Sequence, residues 1–163
     1  MRNRGYSYVM NETGMSELTV RQALPADVPA LAEFLTPFVA VGRLLPRTHD
    51  ELEILTKHGF IAEIGGRIAG FAALEIYSPK LGELRSLAVS PIYQGRGVGR
   101  AVVQAVIDRA REQNVFEVLA ITSTEDFFRK CGFDFTLPGE RKALFYQTRP
   151  SYLEKPGEVL AED

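Results

Sequence analysis

Apolar positions along the chain repeat with two different periods, and the period switches from segment to segment. Leu18 and Val20 alternate with polar neighbours, which predicts a short first strand. Pro25 then opens a helix, where its missing N–H costs nothing, and Val28, Leu31, Leu35 and Phe38 follow at helical spacing. His49–Lys57 reads as a second helix with Leu52 and Leu55 inward. Phe60–Ile64 and Arg67–Ile76 are apolar, β-rich runs joined by Gly65-Gly66, a strong hairpin signal. Leu84–Val89 is a further strand. Val98–Gln113 is the clearest helix, with Val98, Ala101, Val102, Ala105 and Val106 in one stripe and Asn114 as its cap. Phe116–Ile121 reads as a strand, Glu125–Lys130 as a short helix stopped by Gly132, and Lys142–Gln147 as a last strand. The order β-αα-βββ-α-β-α-β predicts an α/β (α+β) domain, a mixed sheet covered by helices.

Residues 1–15 are polar and without period, with Met15 a second possible start, and are read as an extension. Residues 16–155 are read as a single domain and 156–163 as an acidic tail. Composition narrows the classes. Hydrophobic residues make up 45% and charged residues 25%, ordinary for a globular chain, and 163 residues suffice for a core without staples. A formal net charge of −2 gives no electrostatic reason to expect nucleic acid or an anionic membrane. No apolar run reaches the roughly 20 residues of a membrane helix, and the single Cys131 permits no intrachain disulfide. The expectation is a cytoplasmic protein. His49 and His58 are the only histidines, and no Cys/His cluster has metal-ligand spacing, so no metal is expected.

The most informative stretch is Leu84 to Arg100, LRSLAVSPIYQGRGVGR, in which a strand runs through a glycine loop into the best helix. Three alternating glycines let backbone approach a ligand, and the free N–H groups of a helix start favour a phosphate or pyrophosphate. A P-loop would need Lys-Ser or Lys-Thr after the glycines, and a dinucleotide fingerprint counted from Gly95 would need glycine at Arg100. Gln-x-x-Gly-x-Gly fits at Gln94, Gly97 and Gly99, and this spacing resembles the pyrophosphate-binding motif of the GCN5-related N-acetyltransferase (GNAT) family. The preceding Leu-Ala-Val-Ser-Pro and the later Phe127-Phe128-Arg129-Lys130-Cys131-Gly132-Phe133 are also similar to that family. The resemblance covers roughly residues 17–147. It implies a mostly antiparallel sheet with two splayed strands forming a slot for acetyl-CoA. It also implies coenzyme contacts at Leu87, Ala88, Val89, Gln94, Gly95, Arg96, Gly97, Val98, Gly99, Arg100 and Phe128. Backbone N–H groups around Leu87–Val89 would polarise the acetyl carbonyl. Glu83 matches the carboxylate that serves relatives as general base.

Further segments resemble the acetyltransferase domain of N-acetylglutamate synthases: Leu44-Leu45-Pro46-Arg47-Thr48, Lys80-Leu81-Gly82-Glu83, Leu137-Pro138-Gly139-Glu140-Arg141-Lys142 and Arg149-Pro150-Ser151. That resemblance implies that Arg47, Lys80, Arg149 and Ser151 grip the carboxylates of L-glutamate, for which the bidentate arginine fork is well suited. Taken singly, Arg47, Lys80 and Arg149 also fit solvated surface charges. Many such synthases carry an amino-acid kinase-like domain ahead of this one; only the short extension precedes it here. Phe128 occupies the position where relatives often place a proton-donating tyrosine, so another donor serves or coenzyme A leaves as thiolate. Tyr93 reads as a partly buried residue packing the loop, and Cys131 as a packing cysteine. The implied reaction is transfer of acetyl from acetyl-CoA to the α-amine of a small amino acid, L-glutamate first, in arginine biosynthesis. The alternatives are another amine acceptor or a non-catalytic acetyl-CoA-binding module. A homodimer is a further expectation from the family.

Overall fold

A computed structural model describes residues 17–135. The extension, the acidic tail and the last strand expected at Lys142–Gln147 lie outside the described residues. The elements run β1 (Leu18–Gln22), a 3₁₀ turn (Pro25–Asp27), α1 (Val28–Ala40), α2 (His49–Thr56), β2 (Gly59–Ile64) and β3 (Arg67–Ser78). β4 (Leu81–Val89), a second 3₁₀ turn (Pro91–Tyr93), α3 (Val98–Glu112), β5 (Glu117–Leu119) and α4 (Glu125–Lys130) follow. The strands lie in sequence order, β1-β2-β3-β4-β5; the first four are antiparallel and β5 joins β4 in parallel. The mixed sheet expected from the period switches is therefore present.

Local chemistry explains most boundaries. Gly65 and Gly66 both have positive φ, 59° and 72°, the conformation a two-residue hairpin with the sheet's twist requires. Thr48 caps α2 by accepting the Glu51 N–H at 3.2 Å, while the Glu51 carboxylate accepts the Thr48 N–H at 2.7 Å. α3 ends with Asn114 at φ 54° and a bond from Val115 N–H to Ala110 O, and α4 ends the same way at Gly132. Pro25 opens a 3₁₀ turn rather than an α-helix. The Asp27 carboxylate holds that turn by accepting the Leu24 N–H at 2.8 Å, and the α-helix begins one residue later.

β4 and β5 differ from the periodic reading for one reason. β4 starts at Leu81 rather than Leu84, because Leu81–Glu83 are paired on both edges, with β3 and with β5. β5 is confined to Glu117–Leu119 because β4 and β5 pair over that stretch alone. Beyond Glu83 the two strands part.

Helices cover both faces of the sheet. On one face Phe60, Ala62, Leu74 and Leu84 pack with Val98, Val102 and Val106 of α3 and Phe128 of α4. On the other, Ile61, Phe71, Ala73 and Ala88 pack with Val28, Leu31 and Leu35 of α1 and Leu52 and Leu55 of α2. β2 and β3 are buried on both sides, which is why their sequences are continuous apolar runs rather than alternating ones.

Candidate active site

The site is built around an irregularity in β4. Arg85 pairs with Ala73 and Ala88 with Phe71, so Ser86 and Leu87 together face the single residue Ala72. Ser86 takes φ 56°, unusual for a residue with a side chain. The bulge resets the alternation of the strand. Leu84 faces α3 before it, and Ala88 faces α1 and α2 after it. It coincides with the parting of β5, so on the edge away from β3 the backbone of Leu84–Val89 pairs with no described strand.

At the end of β4 lies the glycine loop. Gly95 and Gly97 have φ 76° and 79°, and a Cβ at either would meet no protein atom within 4 Å. Gly97 is the N-cap of α3, with no side-chain cap and no acidic residue in the first turn. The opening N–H groups of α3 are thus left without a side-chain cap at an exposed helix start, which suits an anion. Gly99 instead permits close packing, since a Cβ there would come within 3.2 Å of the Phe127 ring and 3.3 Å of Val89. Gln94, Gly95, Arg96 and Gly97 are not buried, while the Val98 side chain is buried in the core and leaves only its backbone for a ligand. Arg96 lies over the Tyr93 ring at 5.6 Å, and Tyr93 packs against the core as expected. Arg100 donates to Lys130 O at 2.9 Å, tying α3 to the end of α4. Phe128 is buried between Phe127 and Phe133 in edge-to-face contacts, so Phe127, which the sequence pattern did not single out, is the ring beside the loop. Cys131 packs against the same core, and burial raises its thiol pKa above the ordinary range, against a smaller opposing effect of Arg100.

On the α1/α2 face a cleft of about 340 Å³ lies between α1, the α1–α2 loop and the bulge; Leu35, Val39, Leu44, Leu52, Arg47 and Ser86 are among its lining. Arg47 Nε is buried there without a hydrogen-bond partner among the described residues. On the same face of the sheet, Glu83 stands opposite Glu75. Tyr77 Oη donates to Glu83 Oε2 in a short hydrogen bond. Arg85 Nη1 donates to Glu75 Oε2 at 2.9 Å and Tyr77 Oη at 3.0 Å, and lies 3.4 Å from Glu83 Oε2. Burial, and then donation to Glu83, raise the Tyr77 pKa, so the phenol stays a donor. Burial disfavours the charged form of Arg85, but Glu83, Tyr77 and Glu75 outweigh it and its pKa is raised. Glu75, Tyr77 and Arg85 escaped the sequence reading, although Glu75/Tyr77 and Glu83/Arg85 at spacing two are the signal a half-polar strand face leaves.

Lys80 is exposed in the turn before β4. It lies six residues from Ser86, about 20 Å along an extended strand, and no contact among the described residues brings it to the Arg47 cleft. Arg149 and Ser151 lie outside the described residues. His49, Asp50 and Glu53 bring ligand atoms within 4.8 Å of one another, but on the exposed start of α2. No helix among the described residues is long and apolar enough to cross a membrane.

A family model described as "Acetyltransferase (GNAT) family" matches residues 28–133, which hold most of the sheet, the glycine loop and α3. The chain belongs to the GNAT acetyltransferase family. It is 30% identical over 118 residues to an uncharacterized N-acetyltransferase of Chlorobaculum tepidum, covering 72% of this chain and 76% of that one. It is 32% identical over 117 residues to an amino-acid acetyltransferase of Mycobacterium tuberculosis, covering 70% and 67%. Among solved structures it is similar to N-acetylglutamate synthase from Neisseria gonorrhoeae complexed with coenzyme A and N-acetyl-glutamate. The TM-score there is 0.64 and the identity 32%, over 74% of this chain and 28% of that one. Other curated amino-acid acetyltransferases are matched over about a third of their own length. The sheet with its parted strands is the GNAT fold, the chain is an N-acetyltransferase of that type, and acetyl-CoA is its co-substrate.

Proposed function

We propose that this GNAT enzyme acetylates the α-amine of L-glutamate, with N-acetylglutamate and coenzyme A as products. The observation that carries the reading is the buried, unpartnered Nε of Arg47 in a cleft on the face of the sheet that also bears Glu83. A guanidinium with a free donor in a partly apolar cleft suits a carboxylate, and repels a polyamine. The resemblance of Arg149 and Ser151 to the synthase pattern supplies further candidates for the second carboxylate. Similarity to amino-acid acetyltransferases supports the same substrate class.

The coenzyme pyrophosphate lies on the N–H groups of Gly95–Gly99 and the start of α3, with the positive end of the helix dipole behind it. The thioester end runs into the gap beyond Glu83, where backbone N–H groups around Leu87–Val89 polarise the acetyl carbonyl. Glu83 takes a proton from the substrate ammonium. The freed amine lone pair attacks the carbonyl carbon, the C–N bond forms, the C–S bond breaks with its electron pair on sulfur, and the nitrogen gives its remaining surplus proton to water. Neither Phe127, the ring beside the loop, nor the buried Phe128 has a proton to give, and coenzyme A departs as thiolate.

The mainly apolar lining of the cleft, with Leu35, Val39, Leu44 and Leu52, favours a second reading, an amino acid with an apolar side chain. The test is coenzyme A release from acetyl-CoA across a panel of amino acids and polyamines. Turnover selective for L-glutamate is expected. Preference for a leucine-like acceptor establishes the second reading, and preference for a polyamine rules out both.

A further inference from the structure

Glu83 does not stand alone, and its surroundings are more specific than a general base requires. Its side chain is 13% exposed, sits directly across from a second carboxylate, and shares one guanidinium with it. The Tyr77 hydroxyl and Arg85 Nη1 both contact Oε2, and among the described residues no contact falls on Oε1. We propose that Arg85 and Tyr77 are positioning residues, holding Glu83 by Oε2 so that Oε1 is left to take the proton of the acceptor amine. The inference rests on the reading of Glu83 as the base.

The geometry makes each partner's part distinct. Arg85 Nη1 donates to the phenol oxygen of Tyr77, and the phenol donates its single proton onward to Glu83. A donor polarised in this way binds a carboxylate more strongly than a lone hydroxyl. Arg85 also separates two carboxylates that the strand register places opposite each other. Without it Glu75 and Glu83 would repel across the strand pair with no cation between them. Among the described residues no other charged group meets Glu83. From β5 the residue in register is Leu119, and the charged residue lining the cleft on this face is Arg47. Tyr77 is not the first proton acceptor, because its phenol keeps its own proton, donated to Glu83, and a neutral phenol is not a base.

These roles predict a signature that a merely structural role would not produce. A structural defect scales the rate equally at every pH. Loss of Arg85 moves the acid limb of kcat/KM instead, because Glu83 must be ionised to act. In the Arg85→Gln enzyme the limb is expected to move up by about 1 to 2 pH units, with a high-pH plateau within roughly tenfold of wild type. Tyr77→Phe shifts it in the same direction by less, and Arg85→Lys restores part of the wild-type position. Adding Glu75→Gln to Arg85→Gln moves the limb back down, since it removes the negative charge opposite Glu83. The experiment measures full pH–rate profiles of the intact enzyme with acetyl-CoA and its best acceptor, with coenzyme A binding followed in parallel as a check of folding. Glu83→Gln is the control. A loss of roughly a hundredfold or more for Glu83→Gln, with an unmoved limb in Arg85→Gln and Tyr77→Phe, overturns the positioning roles and leaves the base intact. An unchanged rate for Glu83→Gln removes the base itself, and this inference with it.

Discussion

At the residue scale, the three glycines of the loop look alike in sequence and differ in structure. Gly97 needs φ 79°, and open space surrounds the place where its Cβ would be; Gly99 is held by the Phe127 ring at 3.2 Å. Substitution therefore separates ligand binding from packing. Gly97→Ala strains the backbone by about 1–2 kcal/mol and crowds the anion site. We expect coenzyme A affinity to fall at least tenfold by calorimetric titration, with the fold retained. Gly99→Val must push Phe127 and Val89 aside, and a loss of about 1–3 kcal/mol in denaturant unfolding is expected, larger than that of Gly97→Ala. The opposite ranking of stabilities would show that the loop, and not the α3–α4 contact, holds this end of the molecule.

At the element scale, the entry to α1 is fixed by charge rather than by the proline that marks it in sequence. The Asp27 carboxylate accepts Arg21 Nη1 and Nη2 at 2.8 and 2.9 Å and the Leu24 N–H at 2.8 Å, while Arg21 also reaches Glu63 of β2. One fork thus joins β1, β2 and the turn into α1. Donation from Arg21, against the opposing effect of burial, lowers the Asp27 pKa. Stability from this group is present above the ordinary value of 3.8 and is lost as pH falls through the depressed one. Asp27→Ala should cost about 1–2 kcal/mol at neutral pH by denaturant unfolding, with a smaller difference from wild type in strong acid. A cost that stays constant down to about pH 2 would place the effect in packing, not charge.

At the scale of the whole molecule, Arg109 of α3 reaches across the sheet edge. It stacks over the Phe60 ring at 5.2 Å, donates to Gln22 Oε1 at 2.8 Å, and lies 3.3 Å from Lys57 O and His58 Nδ1. It joins α3, β1 and the α2–β2 junction at one point. Burial first, and then Arg109 and Lys57, lower the His58 pKa below its ordinary 6.5. The unfolded chain takes up this proton more readily, so the contribution of neutral His58 is present above 6.5 and is lost as pH falls below it. Thermal midpoints from about pH 7.5 to 5.5 should fall more steeply for wild type than for His58→Gln. Parallel curves would remove His58 as the source.

Local periodicity and turn chemistry determined the elements and their order: the Gly65-Gly66 hairpin, the Val98–Val106 stripe, and the stops at Asn114 and Gly132 are decided by residues close together in the chain. The glycine spacing at Gln94–Gly99 and the flanking segments carried the family in the same way. Register is a relation between strands distant in sequence, and only the tertiary structure decided it. It placed the bulge at Ser86, parted β4 from β5 after Glu83, and set Glu75 opposite Glu83 with Arg85 and Tyr77 beside them. It also turned Phe128 into the core and left Phe127 beside the loop, because a short helix chooses its buried face from what it packs against, not from its own six residues.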